Sequence, residues 1–148
     1  MKKILFLILI LFASCGYQPI YIGQNTNNFL YKEITTIGNN QINKKIISSL
    51  NFKKSNSNNS YDEIIIDSNK STEATSKNSK GRIASYKTSL KTELIIKNNG
   101  KTIKNKTFKN DFSYNNKNNK FELAEYQREV ENNLVKLLID EIFLYLNL

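Results

Sequence analysis

Arg82-Ile83-Ala84-Ser85-Tyr86-Lys87-Thr88-Ser89-Leu90-Lys91-Thr92-Glu93-Leu94-Ile95-Ile96-Lys97 is the stretch that decides the fold. Tyr86, Thr88, Leu90, Thr92, Leu94 and Ile96 fall on one side of an extended chain, and Lys87, Ser89, Lys91, Glu93 and Lys97 on the other. A period of two is the signature of a strand with one face against a core and the other in water, so residues 82–97 are predicted to lay their Leu-bearing face inward. Asn99-Gly100 follows, and both central residues of a type I′ turn need positive φ, which makes this pair a strong hairpin signal. In the return strand, 101–114, Phe108, Phe112 and Tyr114 share a phase that Ile103 does not. A bulge between them is predicted.

Upstream, Ile64-Ile65-Ile66 within 61–67 is a β-branched run suited to a buried strand, and 29–37 reads as another short strand. Between them Asn39 and Asn40 can cap a helix whose Ile42, Ile46, Ile47 and Leu50 make one amphipathic face. Residues 51–60 read as a Lys/Asn/Ser loop, and 68–80 as a polar linker ending at Gly81. Downstream, 115–120 is a second polar loop. From Phe121 onward Leu123, Tyr126, Val130, Leu134, Leu137, Leu138, Ile142 and Tyr145 mark one side of a long helix, with Glu122 and Glu125 placed in its first turn. Its far end, 139–148, is apolar on nearly every side, so either it caps the sheet or a partner covers it. Strand, helix, three strands and a long helix argue an α+β two-layer sandwich, an about four-stranded, mostly antiparallel sheet with two helices packed on it.

The chain begins Met1-Lys2-Lys3, continues apolar from Ile4 to Ala13, and reaches Ala13-Ser14-Cys15. A positive start, a short apolar run and small residues are the layout of a secretory signal, and the run is too short to span a bilayer. Phe12-Ala13-Ser14-Cys15 resembles the lipobox of bacterial lipoproteins, which implies cleavage before Cys15 and diacylglycerol on its sulfur. The expected organisation is a removed signal peptide over 1–14, a lipidated tether over 15–28 and a single domain over 29–148. Loss of Lys2 and Lys3 lowers the formal charge from +9 to +7. The mature chain is therefore basic, a balance that suits phosphate-bearing polymers, anionic lipid headgroups or lipopolysaccharide without selecting among them; of these, no nucleic-acid partner is expected.

Catalytic chemistry is not expected. The chain has no His and a single Cys, which removes the usual general base and the soft ligand sets of zinc, copper or iron–sulfur sites. Glycine occurs only singly, so no phosphate-cradling loop is present. The neighbouring carboxylates Asp62/Glu63 and Asp140/Glu141 project apart on a strand or helix and read as solvated surface. No cofactor or metal is called for. The best constellation is geometric: in an antiparallel meander the loops before Arg82 and after Tyr114 leave the sheet at one end, opposite Asn99-Gly100. Lys77, Lys80 and Arg82 come from the first loop, Lys117 and Lys120 from the second, and five cations there suit an anionic headgroup.

Cys15-Gly16-Tyr17-Gln18-Pro19-Ile20-Tyr21 is similar to the Cys-Gly-aromatic start of the lipopolysaccharide-assembly lipoprotein LptE family. Ala84-Ser85-Tyr86 opening an alternating strand, an aromatic-ended strand from Phe108 to Tyr114 and a final helix around Ala124, Leu134 and Leu137 extend the resemblance. It implies a sheet of about four strands carrying two helices. It also implies an outer-membrane, lipid-anchored subunit that plugs an LptD-like β-barrel, assists its assembly and binds lipopolysaccharide. The competing expectation is a free-standing envelope lipoprotein that binds peptidoglycan or a small ligand, or a pilot protein of a secretion channel.

Overall fold

The structure, a computed structural model, describes residues 29–58 and 60–148; the leader 1–14, Cys15 and the tether 15–28 lie outside the described residues. The element order is β1 (Leu30–Gly38), α1 (Asn40–Ser49), β2 (Lys53–Lys54), β3 (Tyr61–Lys77), β4 (Ile83–Asn98), β5 (Lys101–Asn115) and α2 (Lys120–Leu146). The sheet runs β2-β1-β3-β4-β5. β3, β4 and β5 form an antiparallel meander, while β1 lies parallel to β3 and β2 parallel to β1. This is the expected α+β two-layer architecture, with one strand more than the sequence announced: the two residues of β2 lie inside the segment read as loop.

β4 meets its expectation closely. Thr88, Leu90, Thr92, Leu94 and Ile96 are buried on the predicted inward face. In register beside them lie Ile64 and Ile66 of β3 and Phe108 of β5. Ile64, Ile66, Leu90 and Leu94 are wholly buried, each contributing roughly 1.5–3 kcal/mol on leaving water. α1 and α2 close the other side of this core through Ile42 and Ile46, and through Val130, Leu134, Val135, Leu138 and Ile142.

Helix boundaries follow from capping. The Asn39 side chain accepts the amides of Gln41 and Ile42 at 3.1 Å, starting α1, and the Asn119 side chain accepts that of Phe121 at 2.8 Å, starting α2. Because α2 begins at Lys120, Glu122 lies in its first turn and Glu125 falls beyond it. The inward stripe also differs by one residue from the expected one: Val135 is buried and Leu137 is 54% exposed. The far end of the helix caps the sheet. Tyr145 packs edge-on against Phe108, at 5.7 Å between centroids, with the ammonium groups of Lys104 and Lys106 about its ring at 5.2 and 5.0 Å. Leu144 and Leu148 are left exposed.

The segment 68–80 is not a linker. β3 continues through it to Lys77, paired with β4 as far as Ile83, with register shifts only at Ala74/Ser76 and Ser76/Lys77. Its side chains beyond Ser68 are exposed, so no apolar periodicity reports the strand. Hydroxyl pairs across the ladder hold it instead: Ser68 with Thr92 at 2.8 Å, Thr72 with Thr88 at 3.0 Å, and Thr75 and Ser76 with Ser85 at 2.7 and 2.6 Å. The predicted bulge is present, since the β4–β5 register steps from Ile96↔Lys104 to Lys97↔Thr102 and leaves Ile103 over. Asn99 and Gly100 have φ of 50° and 70°, as a type I′ turn requires.

Candidate functional site: the basic end of the meander

The two loops carrying the predicted cations leave the sheet at the same end. The first, 78–82, is tied by Asn78, whose side-chain oxygen accepts the amides of Lys80 and Arg82 at 3.0 Å while its own amide donates to the Arg82 carbonyl at 2.8 Å. Gly81, at φ 74°, closes the turn. The second, 116–119, is tied to the first strand of that hairpin's return: the Asn116 backbone donates to the Ala84 carbonyl and its side chain to the Ile83 carbonyl, both at 2.8 Å. The register partner of Asn115 is Ser85. Both loops are thus fixed to the first residues of β4.

Lys77 ends β3, Lys80 and Arg82 stand in the hairpin, Lys117 in the second loop and Lys120 at the first position of α2. All five are exposed. The ion pairs among the described residues are Lys32–Asp62, Lys70–Glu131, Lys87–Asp111 and Lys97–Glu63, none of which uses these cations. Lys117 leans over the Tyr126 ring at 5.1 Å and so is directed along the sheet. Tyr126 in turn meets Tyr114 edge-on at 5.5 Å, and Tyr114 stacks between Tyr86 and Phe112 at 5.9 and 6.5 Å. An aromatic shelf therefore runs inward from the cationic loops, and the Tyr114 hydroxyl is satisfied by Thr88 at 3.0 Å.

Sequence reasoning passed over the groove that continues from this shelf. Phe112, Tyr126, Val130, Leu134 and Leu137 enclose about 250 Å³ between β5 and α2, with Glu129 and Asn133 at the rim. Phe112 shares its predicted phase with Phe108 and Tyr114, and Leu137 lies on the predicted helix stripe, yet each is about half exposed, at 47% and 54%. The signal was available in part. With Val135 and Leu138 on the inward stripe, Leu137 lies off it, and an edge strand leaves one side of Phe112 uncovered.

The carboxylates read as surface are engaged at the opposite end. The Lys32 ammonium, 2.7 Å from Asp62, holds that carboxyl below its usual range, helped by the Asn99 amide, which donates to Asp62. Lys97 at 2.9 Å, and then the Thr35 hydroxyl at 2.8 Å, lower Glu63 in the same way. These are fold contacts that brace the Asn99-Gly100 hairpin against β1 and β3. Among the described residues the five cations of the basic end have no such neutralising pairs.

No family model and no curated protein matches this chain. Solved structures do resemble it. Rare lipoprotein B from Shewanella oneidensis superposes with a TM-score of 0.58 at 10% identity, covering 78% of this chain and 93% of that one. A minor lipoprotein from Acinetobacter baumannii gives 0.51 at 15% identity, over 76% and 87%. Uncharacterized lipoprotein B from Nitrosomonas europaea gives 0.50 at 11% identity, over 74% and 78%. At such identities the likeness establishes the fold, which this chain shares with several bacterial lipoproteins.

Proposed function

We propose that the chain is a non-catalytic, lipid-anchored envelope lipoprotein of the LptE type. In this reading Cys15 carries the lipid at the outer membrane, and the domain plugs and helps assemble an LptD-like β-barrel. Lipopolysaccharide docks by its phosphates on Lys77, Lys80, Arg82, Lys117 and Lys120. The observation that carries it is the gathering of five exposed cations, none in an ion pair among the described residues, at one end of a meander. An unneutralised set of ammonium and guanidinium groups attracts phosphate and gains charge-assisted hydrogen bonds on contact. The Cys-Gly-aromatic start and the fold shared with bacterial lipoproteins support the anchored part of the reading.

Three measurements test it. Palmitate labelling is expected to vanish in Cys15→Ala, and persistent labelling removes the anchor. Tagged protein extracted in mild detergent is expected to bring down a large β-barrel; its absence defeats the plug. Changing the five cations together to Glu is expected to abolish lipopolysaccharide binding, and unchanged binding eliminates the docking end.

A further inference from the structure

Among the described residues β5 is the outer strand of the sheet along its whole length, and one side of its backbone has no ladder partner there. Natural sheets guard such edges with lysines and bulges. The first part of β5 is guarded in both ways: Lys101, Lys104, Lys106 and Lys109 recur along it, and Ile103 is the bulged residue. The last part is not. Asn110-Asp111-Phe112-Ser113-Tyr114-Asn115 carries no lysine and no register shift, its one charge, Asp111, is paired with Lys87 at 3.3 Å, and it holds the half-exposed Phe112. Beside this unguarded stretch opens the apolar groove of about 250 Å³ between Phe112 and Leu137.

We propose that 110–115 takes an extended polypeptide segment as a further strand, with one apolar side chain of that segment seated in the Phe112–Leu137 groove and carboxylates toward its ends. Strand addition supplies affinity through backbone hydrogen bonds and specificity through pockets that take alternate side chains. The edge and the groove provide both on one surface. Charge fixes the rest of the occupant. Lys109, on the sheet face away from α2 beside Lys87, and Lys117, over Tyr126 on the groove side, lie beyond either end of the stretch and favour acidic ends, and Glu129 at the groove rim disfavours a carboxylate in the middle.

Two other occupants fit less well. An alkyl chain fills the groove but covers the strand edge without satisfying its N–H and C=O groups, which is costly for buried backbone. A second copy of this chain pairing antiparallel about Ser113 brings Lys109 of each copy toward Lys117 of the other, just past the end of β5 at Asn115, an unfavourable approach of like charges. The proposal does not depend on the identity of any barrel or on lipopolysaccharide binding.

The test uses the full lipidated chain in detergent micelles and a short fluorescent peptide with Val-Phe-Val at its centre and Asp at both ends, followed by anisotropy. Binding is expected, and a version N-methylated along its backbone is expected to bind at least about tenfold more weakly, a loss of about 1.4 kcal/mol. Phe112→Lys and Leu137→Lys are each expected to weaken the parent peptide by a similar factor, Leu137→Lys with melting temperature unchanged and Phe112→Lys with the loss of its stacking on Tyr114. Ile103→Lys, on the guarded part of the same strand, is expected to leave it unaltered. Absence of peptide binding overturns the proposal, as does equal binding of the N-methylated peptide. Displacement of the peptide by decyl phosphate with no effect of N-methylation assigns the groove to an alkyl chain. Peptide-blocked dimerisation of the chain assigns it to a second copy.

Discussion

The side-chain amide of Asn116 donates to the carbonyl of Ile83 at 2.8 Å, tying the loop that starts α2 to the strand that leaves the first basic hairpin. The two groups of cations keep their spacing through this one residue and its backbone bond to Ala84. Asn116→Ala removes a partly buried hydrogen bond and leaves the Ile83 carbonyl without its partner. The expected cost is about 1–2 kcal/mol in urea denaturation, and under the proposed function lipopolysaccharide binding is expected to weaken even though no cation is changed. Wild-type affinity in that variant shows that the two loops act independently.

Gly38 stands where β1 turns into α1, at φ 75°, and a Cβ built there meets the Ser68 carbonyl oxygen at 2.2 Å. The same carbonyl accepts the Asn39 amide at 2.7 Å, so it cannot withdraw without loosening the helix cap. Gly38→Ala is expected to destabilise by at least about 2 kcal/mol, since left-handed strain and a backbone clash add. Thermal melting measures this directly. Gly81→Ala, at a similar φ but with open space around it, is expected to cost less.

Tyr31 is fully buried among Phe29, Phe52 and Tyr61, and its hydroxyl has no hydrogen-bond partner among the described residues. Burial, followed by the neighbouring Tyr61, pushes that hydroxyl far above the usual tyrosine range. Tyr31→Phe keeps the ring contacts and removes an unsatisfied polar atom. Stability is therefore expected to be unchanged or to rise by up to about 1 kcal/mol; a clear loss by denaturation contradicts it.

Asp62 and Glu63 both titrate lower in the folded chain than in the unfolded one, because Lys32 and Lys97 respectively favour their charged forms. Their contribution is present above the ordinary carboxylate range, about pH 4, and is lost as pH falls through the lowered folded values. Stability measured from pH 6 down to 2 is expected to fall in this acid window. Lys32→Ala combined with Lys97→Ala is expected to flatten the fall, and an unaltered slope assigns it to other carboxylates.

Trypsin is expected to cut the folded chain first after Lys80 or Arg82, in the 78–82 turn, and to spare Lys70 and Lys77, which lie on paired strand. Mass spectrometry of early fragments distinguishes this from a linker, in which cleavage after Lys70 is equally fast.

Legibility in the sequence followed burial. β4 was readable because Leu90, Leu94 and Ile96 alternate with charged residues, and α1 because Asn39 precedes Ile42 and Ile46 at helical spacing. The half of β3 beyond Ser68 was silent because both its faces are exposed and its partners are hydroxyls, which composition reads as loop. β2 was silent because two lysines carry no period; only Phe29 and Tyr31, whose carbonyls accept the amides of Lys53 and Ser55, put it in the sheet. The five cations were read correctly as sharing one end, since strand direction alone determines it. The groove was not, because half-exposure at Phe112 and Leu137 depends on which side of β5 is an edge and on a single position of drift along α2.

The parallel pairing of β1 with β3 has a consequence in time. Turns of a few residues join β3 to β4 and β4 to β5, so the meander closes by short-range search. β1 instead pairs with residues 30 positions away, as in Ile34 with Ile64, and must wait across the intervening helix and β2. β1 is thus expected to be among the last of the described strands to find its neighbours. Tyr31 and Ile34 gain their sheet neighbours only when Tyr61 and Ile64 arrive.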